Sequence, residues 1–70
     1  MEKITINFES SGESGNTMYL LCLMREALRK RRRIADCNEL FDKVFASGSY
    51  EEALGHMRRY ADVIDLDGKY

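Results

Sequence analysis

Apolar and polar positions alternate at the start of the chain and then change period. In residues 3–8, KITINF, Ile4, Ile6 and Phe8 fall on one side and Lys3, Thr5 and Asn7 on the other. That period of two predicts a half-buried strand. Residues 9–16, ESSGESGN, carry no apolar side chain and read as a loop, with Ser14 or Asn16 placed to cap a helix. From Thr17 the period becomes helical. Leu20, Leu21, Met24, Ala27 and Leu28 form one face, Leu23 lies beside it, and Arg25, Arg29, Arg32 and Arg33 lie opposite. A helix over about 17–33 follows.

A second helix is expected to begin at Asp36, with Glu39 three residues later in the manner of a capping box. Leu40, Phe41, Val44 and Phe45 make its apolar stripe, and Gly48 reads as a left-handed stop. Ser49 and Glu52 form a second capping box, opening a third helix with Tyr50, Ala53, Leu54, Met57 and Ala61 on one face. Residues 62–67, DVIDLD, predict a last short strand with Ile64 and Leu66 facing inward.

The order is therefore β-α-α-α-β: a small α+β fold, one domain over residues 1–70, with two short strands packed on three helices. Three helices between the strands return the chain in its starting direction, which predicts a parallel pair. A chain of this length buries only about 60% of its unfolded surface, and a two-stranded sheet with bare edges is weak. Completion by homo-oligomerisation is expected on both grounds.

Composition removes several function classes. Two cysteines, Cys22 and Cys37, without a CxxC or a pair of histidines, supply neither a disulfide framework nor a zinc site. Neither a metal nor another cofactor is expected. The N-terminal MEKITINFES lacks the apolar stretch of a signal peptide, and the longest apolar run, Met18 to Met24, is far shorter than the ~20 residues of a membrane span. A cytoplasmic protein with reduced thiols and no membrane partner is the reading.

A net charge of −1 conceals a strong asymmetry. Residues 25–33, REALRKRRR, hold six cations and only Glu26, in an otherwise acidic chain. Cations near a helix C-terminus complement its dipole by roughly 0.3–1 kcal/mol each when exposed. Six in nine positions exceed that need, because like charges a turn apart repel. Guanidinium groups suit phosphate, so the cluster predicts an anion-binding surface.

The loop before the first helix is a second candidate, since backbone N–H groups at a helix start attract anions. It lacks the Lys-Ser/Thr of a P-loop and the spacing of a dinucleotide fingerprint, and Glu13 opposes an anion. The candidate ligand-binding residues are thus Ser14, Gly15, Asn16, Thr17 and Tyr19 at one end of the helix. Arg25, Arg29, Arg32 and Arg33 lie toward the other. A 17-residue helix separates its ends by roughly 25 Å, so one small ligand can touch both sets only between subunits. Arg58 and Arg59 form a smaller basic spot, and tyrosines such as Tyr19 and Tyr50 offer stacking faces. His56 stands alone, and neither cysteine has a histidine that would make it a nucleophile. Catalysis is not expected.

The short first strand, the Gly15–Asn16 helix start, the Ala27–Lys30 run and Ser47–Leu54 leading into RRYADVIDL resemble a group of very small bacteriophage and prophage proteins. The resemblance implies a setting in which some proteins of this size antagonise host defence, by blocking a defence complex or by sequestering a cyclic-nucleotide signal. It transfers no binding residue. The expectation is a non-enzymatic phage-type accessory protein that captures an anionic ligand, with a nucleotide signal as its most specific form. The alternatives are an inhibitor that covers a host defence protein and a small nucleic-acid-binding protein that uses the basic helix.

Overall fold

The computed structural model describes residues 4–70. The first strand, β1 (Thr5–Phe8), turns Ile6 and Phe8 inward, with Ile4 just before it, and leaves Thr5 and Asn7 in solvent. The expected start of this strand at Lys3 lies outside the described residues. A short 3₁₀ turn at Glu13–Gly15 leads into α1 (Thr17–Lys30), followed by α2 (Ile34–Phe45), α3 (Tyr50–Met57) and β2 (Asp62–Asp65). The strands pair in parallel with Ile6 opposite Val63, and the fold is α+β in the order β-α-α-α-β.

One core joins the elements. Leu20, Leu21, Met24 and Leu28 from α1 meet Cys37, Leu40 and Val44 from α2 and Ala53, Leu54 and Met57 from α3. Ile4, Ile6, Phe8 and Val63 close it from the sheet. At about 1.5–3 kcal/mol for each fully buried large side chain, this cluster outweighs any surface pair in holding the fold.

Five local expectations are corrected. First, α1 ends at Lys30, not Arg33, because Arg32 takes a left-handed conformation with φ 58°. The Arg33 N–H then reaches the Leu28 carbonyl at 2.9 Å and the Arg32 N–H the Arg29 carbonyl at 2.9 Å. This is the Schellman ending, with arginine where glycine usually sits. Second, α2 starts at Ile34, two residues early, and Asp36 binds Arg33 Nε at 2.8 Å instead of capping.

Third, Gly48 is no left-handed stop. Among glycines only Gly68 has a positive φ, and α2 closes through Ala46 in a right-handed conformation. The second capping box forms, with Ser49 Oγ accepting from the Glu52 N–H at 3.1 Å, while the Glu52 carboxylate takes the Gly48 N–H. Fourth, β2 is shorter than expected and inverted. Val63 points inward, while Ile64 and Leu66 are 46% and 63% exposed. The register sets this: Val63 lies opposite Ile6, so its neighbour Ile64 must take the solvent face. Phe45, expected in the core, is 64% exposed and rests edge-on against Phe41 at 6.0 Å.

Chain direction gives the molecule two chemically distinct ends. β1 rises to the Gly/Ser loop, α1 descends from it, α2 returns, α3 descends and β2 rises again. The loop end therefore gathers Glu9, Glu13, Glu51, Glu52, Asp65 and Asp67. The opposite end gathers Arg29, Lys30, Arg31, Arg32 and Arg33, and also Arg58 and Arg59 where α3 finishes, with Asp36 and Asp62 as the carboxylates among them.

Candidate functional site

The connection between α1 and α2 builds the basic end. Arg25 and Arg29 stand one turn apart on the outer face of α1, both exposed, and Arg32 is exposed in the turn that follows. Arg33 is half-buried and committed to Asp36, which leaves its charge partly neutralised. Arg31 Nη1 donates to the Ala27 carbonyl at 3.0 Å, so this side chain folds back along its own helix. Arg29 and Lys30 occupy the last turn of α1, where the carbonyl end of the dipole favours them. No side chain caps the start of α2, whose first N–H groups open toward the same turn. Cations and open helix N–H groups are the combination that suits a phosphate.

The second basic spot lies at the same end of the molecule. The Tyr60 hydroxyl, its pKa raised by burial and by a hydrogen bond to Glu39, also senses Asp36 and Arg59. The end of α3 therefore lies beside the beginning of α2. Arg59 is exposed there, whereas Arg58 is engaged, donating from Nε to the Val63 carbonyl at 3.1 Å and from Nη2 to the Tyr70 carbonyl at 2.9 Å.

Arg32 carries a cost that bears on its role. A non-glycine residue in the left-handed region loses about 1–2 kcal/mol, of which glycine's extra chain entropy would return roughly 0.5–1. Arg32→Gly is accordingly expected to stabilise the fold by about 0.5–1 kcal/mol, read as a rise of roughly 3–7 °C in melting temperature by circular dichroism. It should weaken anion binding at the same time. An unchanged or lower melting temperature would remove the strain from the account.

The Gly/Ser loop is occupied by internal bonds. Asn16 Oδ1 caps α1 by accepting from the Met18 and Tyr19 N–H groups at 2.9 and 3.3 Å. Ser14 Oγ accepts from the Glu9 N–H at 2.8 Å. The N–H groups of Gly12, Gly15 and Asn16 bond to the carbonyls of Glu9, Gly12 and Glu13. Gly15 is needed for a close approach, since a Cβ there would stand 2.6 Å from the Ser10 carbonyl. Its own carbonyl accepts the Tyr50 hydroxyl, whose pKa burial and then Asp65 raise. Thr17 lines an open depression of about 280 Å³ with Val44, Ser47, Gly48, Ser49, Tyr50 and Ala53. Tyr19 is 49% exposed beside it in sequence.

Of the sequence-based candidates, Arg29, Arg32 and Arg33 come together at the basic end, with Arg25 one turn up α1. Ser14, Gly15, Asn16, Thr17 and Tyr19 sit at the other end of a 14-residue helix, about 21 Å away. The α1 arginines line neither this depression nor a second of about 250 Å³ formed by Arg58, Ala61, Asp62, Val63 and Ile64.

The residue that sequence reading missed is Asp65. Its Oδ1 accepts from the Ser10 and Asp67 N–H groups at 3.1 and 3.0 Å, and its Oδ2 from those of Lys69 and Tyr70 at 2.9 and 3.0 Å. Asp67 Oδ2 takes the Ser11 N–H and hydroxyl at 2.9 and 2.5 Å. Two carboxylates thus staple the C-terminal segment across the loop. Partial burial acts against the charge on Asp65, but the bonds from Ser10, Asp67 and Lys69 outweigh it and hold its pKa well below the usual range. The D-x-D-G spacing was the only available signal, and it reads equally as a turn.

Among the described residues no group of three His, Cys, Asp or Glu side chains could hold a metal ion. Cys22 is exposed and Cys37 buried, both as free thiols. Among the described residues no helix is long and apolar enough to cross a membrane. Compared with known proteins, the chain matches no family model, no curated protein and no solved structure.

Proposed function

We propose that this protein is a non-enzymatic binding domain that sets its basic end against a phosphate-bearing polymer, with nucleic acid as the class that fits. The observation that carries the reading is the run of exposed cations, Arg29, Lys30 and Arg32, at the α1–α2 connection, with Arg59 at the same end of the molecule and Asp36 offsetting only Arg33. Such a field orients the molecule toward a polyanion and repels it if turned around. The exposed arginines lie on open surface rather than in a cavity, which suits an extended backbone better than an enclosed small ligand. In a phage accessory role, the same end would cover nucleic acid needed by a host defence complex.

A nucleotide signal is the second reading. It is favoured by the uncapped start of α2 beside Arg32 and Arg33, which offers one well-defined phosphate position. The Gly/Ser loop adds little to it, because so many of its donors are already bonded.

Fluorescence anisotropy with labelled single- and double-stranded oligonucleotides, against cyclic di- and trinucleotides, separates these readings. At about 50 mM salt a polymer partner should bind at micromolar levels and at least tenfold more tightly than any nucleotide. The reverse order would favour the signal reading. Binding of neither would overturn both.

A further inference from the structure

We propose that the outer edge of β1 is the docking site for a second copy of this chain, whose own β1 runs antiparallel to it about a two-fold axis at Ile6. The parallel ladder fixes which main-chain groups face outward. The Ile4 and Phe8 carbonyls accept from the Asp62 and Leu66 N–H groups of β2, at 2.9 and 2.7 Å. Thr5 and Asn7 therefore direct their N–H and C=O groups away from β2. Among the described residues nothing pairs with them there, and both side chains are exposed.

The two edges of the sheet are treated differently. On β2 the outward carbonyl of Val63 accepts Arg58 Nε at 3.1 Å, and that of Asp65 accepts the Gly68 N–H at 3.1 Å. The β1 segment Thr5–Phe8 has no lysine, arginine, proline or glycine of the kind that usually guards an edge. The outward carbonyls of β2 are thus taken by the chain's own groups, whereas among the described residues those of β1 are not.

Register and charge both select a second copy as the occupant. Outward-facing residues must oppose each other, and setting Thr5 opposite Asn7 of the second copy satisfies all the outward groups of the strand at once. Ile6 then meets its own counterpart on the axis, and Ile4 meets Phe8, so the apolar inner faces continue into one another. The same antiparallel arrangement places the arginine end of each copy alongside the carboxylate end of the other. A side-by-side pair with like ends together would oppose its charges instead.

Sedimentation equilibrium of the full chain tests this. The expected mass is twice the 8.1 kDa of one chain. A Thr5→Lys, Asn7→Lys double variant, which sets lysine against lysine across the axis, is expected to be monomeric with an unchanged circular dichroism spectrum. A wild-type monomer up to about 0.5 mM, or a double variant that still dimerises, would overturn the proposal. If that variant does not fold, amide exchange on the unaltered chain decides. The Thr5 and Asn7 N–H groups should exchange at least ~100-fold more slowly than free amides, and fast exchange would contradict the pairing. The test reads no anion affinity, so its outcome is independent of what the basic end binds.

Discussion

Asp65→Ala is expected to lower the melting temperature by more than about 10 °C, the largest loss from any single side-chain change on the surface of this protein. One carboxylate accepts four main-chain N–H groups, from Ser10, Asp67, Lys69 and Tyr70. Alanine removes every acceptor at once, leaving the part-buried Ser10 N–H without a partner and releasing the exposed Asp67, Lys69 and Tyr70 N–H groups to water. The loosened parts are connected: Ser10 leads into the 3₁₀ turn, Gly15 holds Tyr50, and the Tyr50 ring packs edge-on against Tyr70 at 4.9 Å. Asp65→Asn should give an intermediate loss, since an amide keeps one oxygen and turns a donor toward the other N–H pair. Glu13→Gln, at an exposed carboxylate on the same end, should leave the melting temperature unchanged.

The same site sets the acid limb of stability. Folding lowers the Asp65 pKa, so the folded form binds protons less readily than the unfolded chain. Its contribution is complete above the unfolded carboxyl value of about 4 and is lost as pH falls below it toward the depressed folded value. Asp67, held low chiefly by the Ser11 hydroxyl and N–H, acts in the same direction. Thermal melts between pH 5 and 2 should therefore fall steeply for the wild type and less steeply for Asp65→Asn.

The second large effect concerns binding. Arg29→Glu with Arg32→Glu is expected to weaken polyanion binding by about 100-fold or more at low salt, because two attractions become two repulsions. These positions are chosen because both side chains are exposed and outside the core. Arg33 is a poorer probe, since its reversal would also set two carboxylates, the new Glu and Asp36, against each other. A fold preserved by circular dichroism with unaltered affinity would place the binding surface elsewhere.

Much of the fold was legible because the local signals were strong and independent. The alternation of Ile4, Ile6 and Phe8, the Asn16 and Ser49 caps and the apolar faces of the helices all led to the observed elements. The parallel pairing followed from counting the helices between the strands. The inverted face of β2 was not legible, because DVIDLD alternates equally well in either phase and only the pairing with β1 chooses one. The break at Arg32 was hidden for a related reason. Arginine is a good helix former, and its left-handed conformation comes where the chain turns back from α1 into α2.

The candidate site was legible as composition and not as geometry. The run of arginines was plain, but its division between a helix, a turn and a bonded pair was not. Nor did the sequence bring Arg59 near it, since 26 positions separate Arg33 from Arg59 (59 − 33) and only the descent of α3 joins them. The loop looked like a free anion cradle because its bonds to Asp65 and Asp67 span more than fifty residues.

The salt dependence of polynucleotide binding tests the basic end most directly. With about four phosphates neutralised, the logarithm of the association constant should fall with that of salt at a slope of roughly −3 to −4. The Arg29→Glu, Arg32→Glu variant should reduce that slope by about 2. A flat salt dependence, or a slope that the variant leaves unchanged, would contradict the assignment of the arginine end as the binding surface.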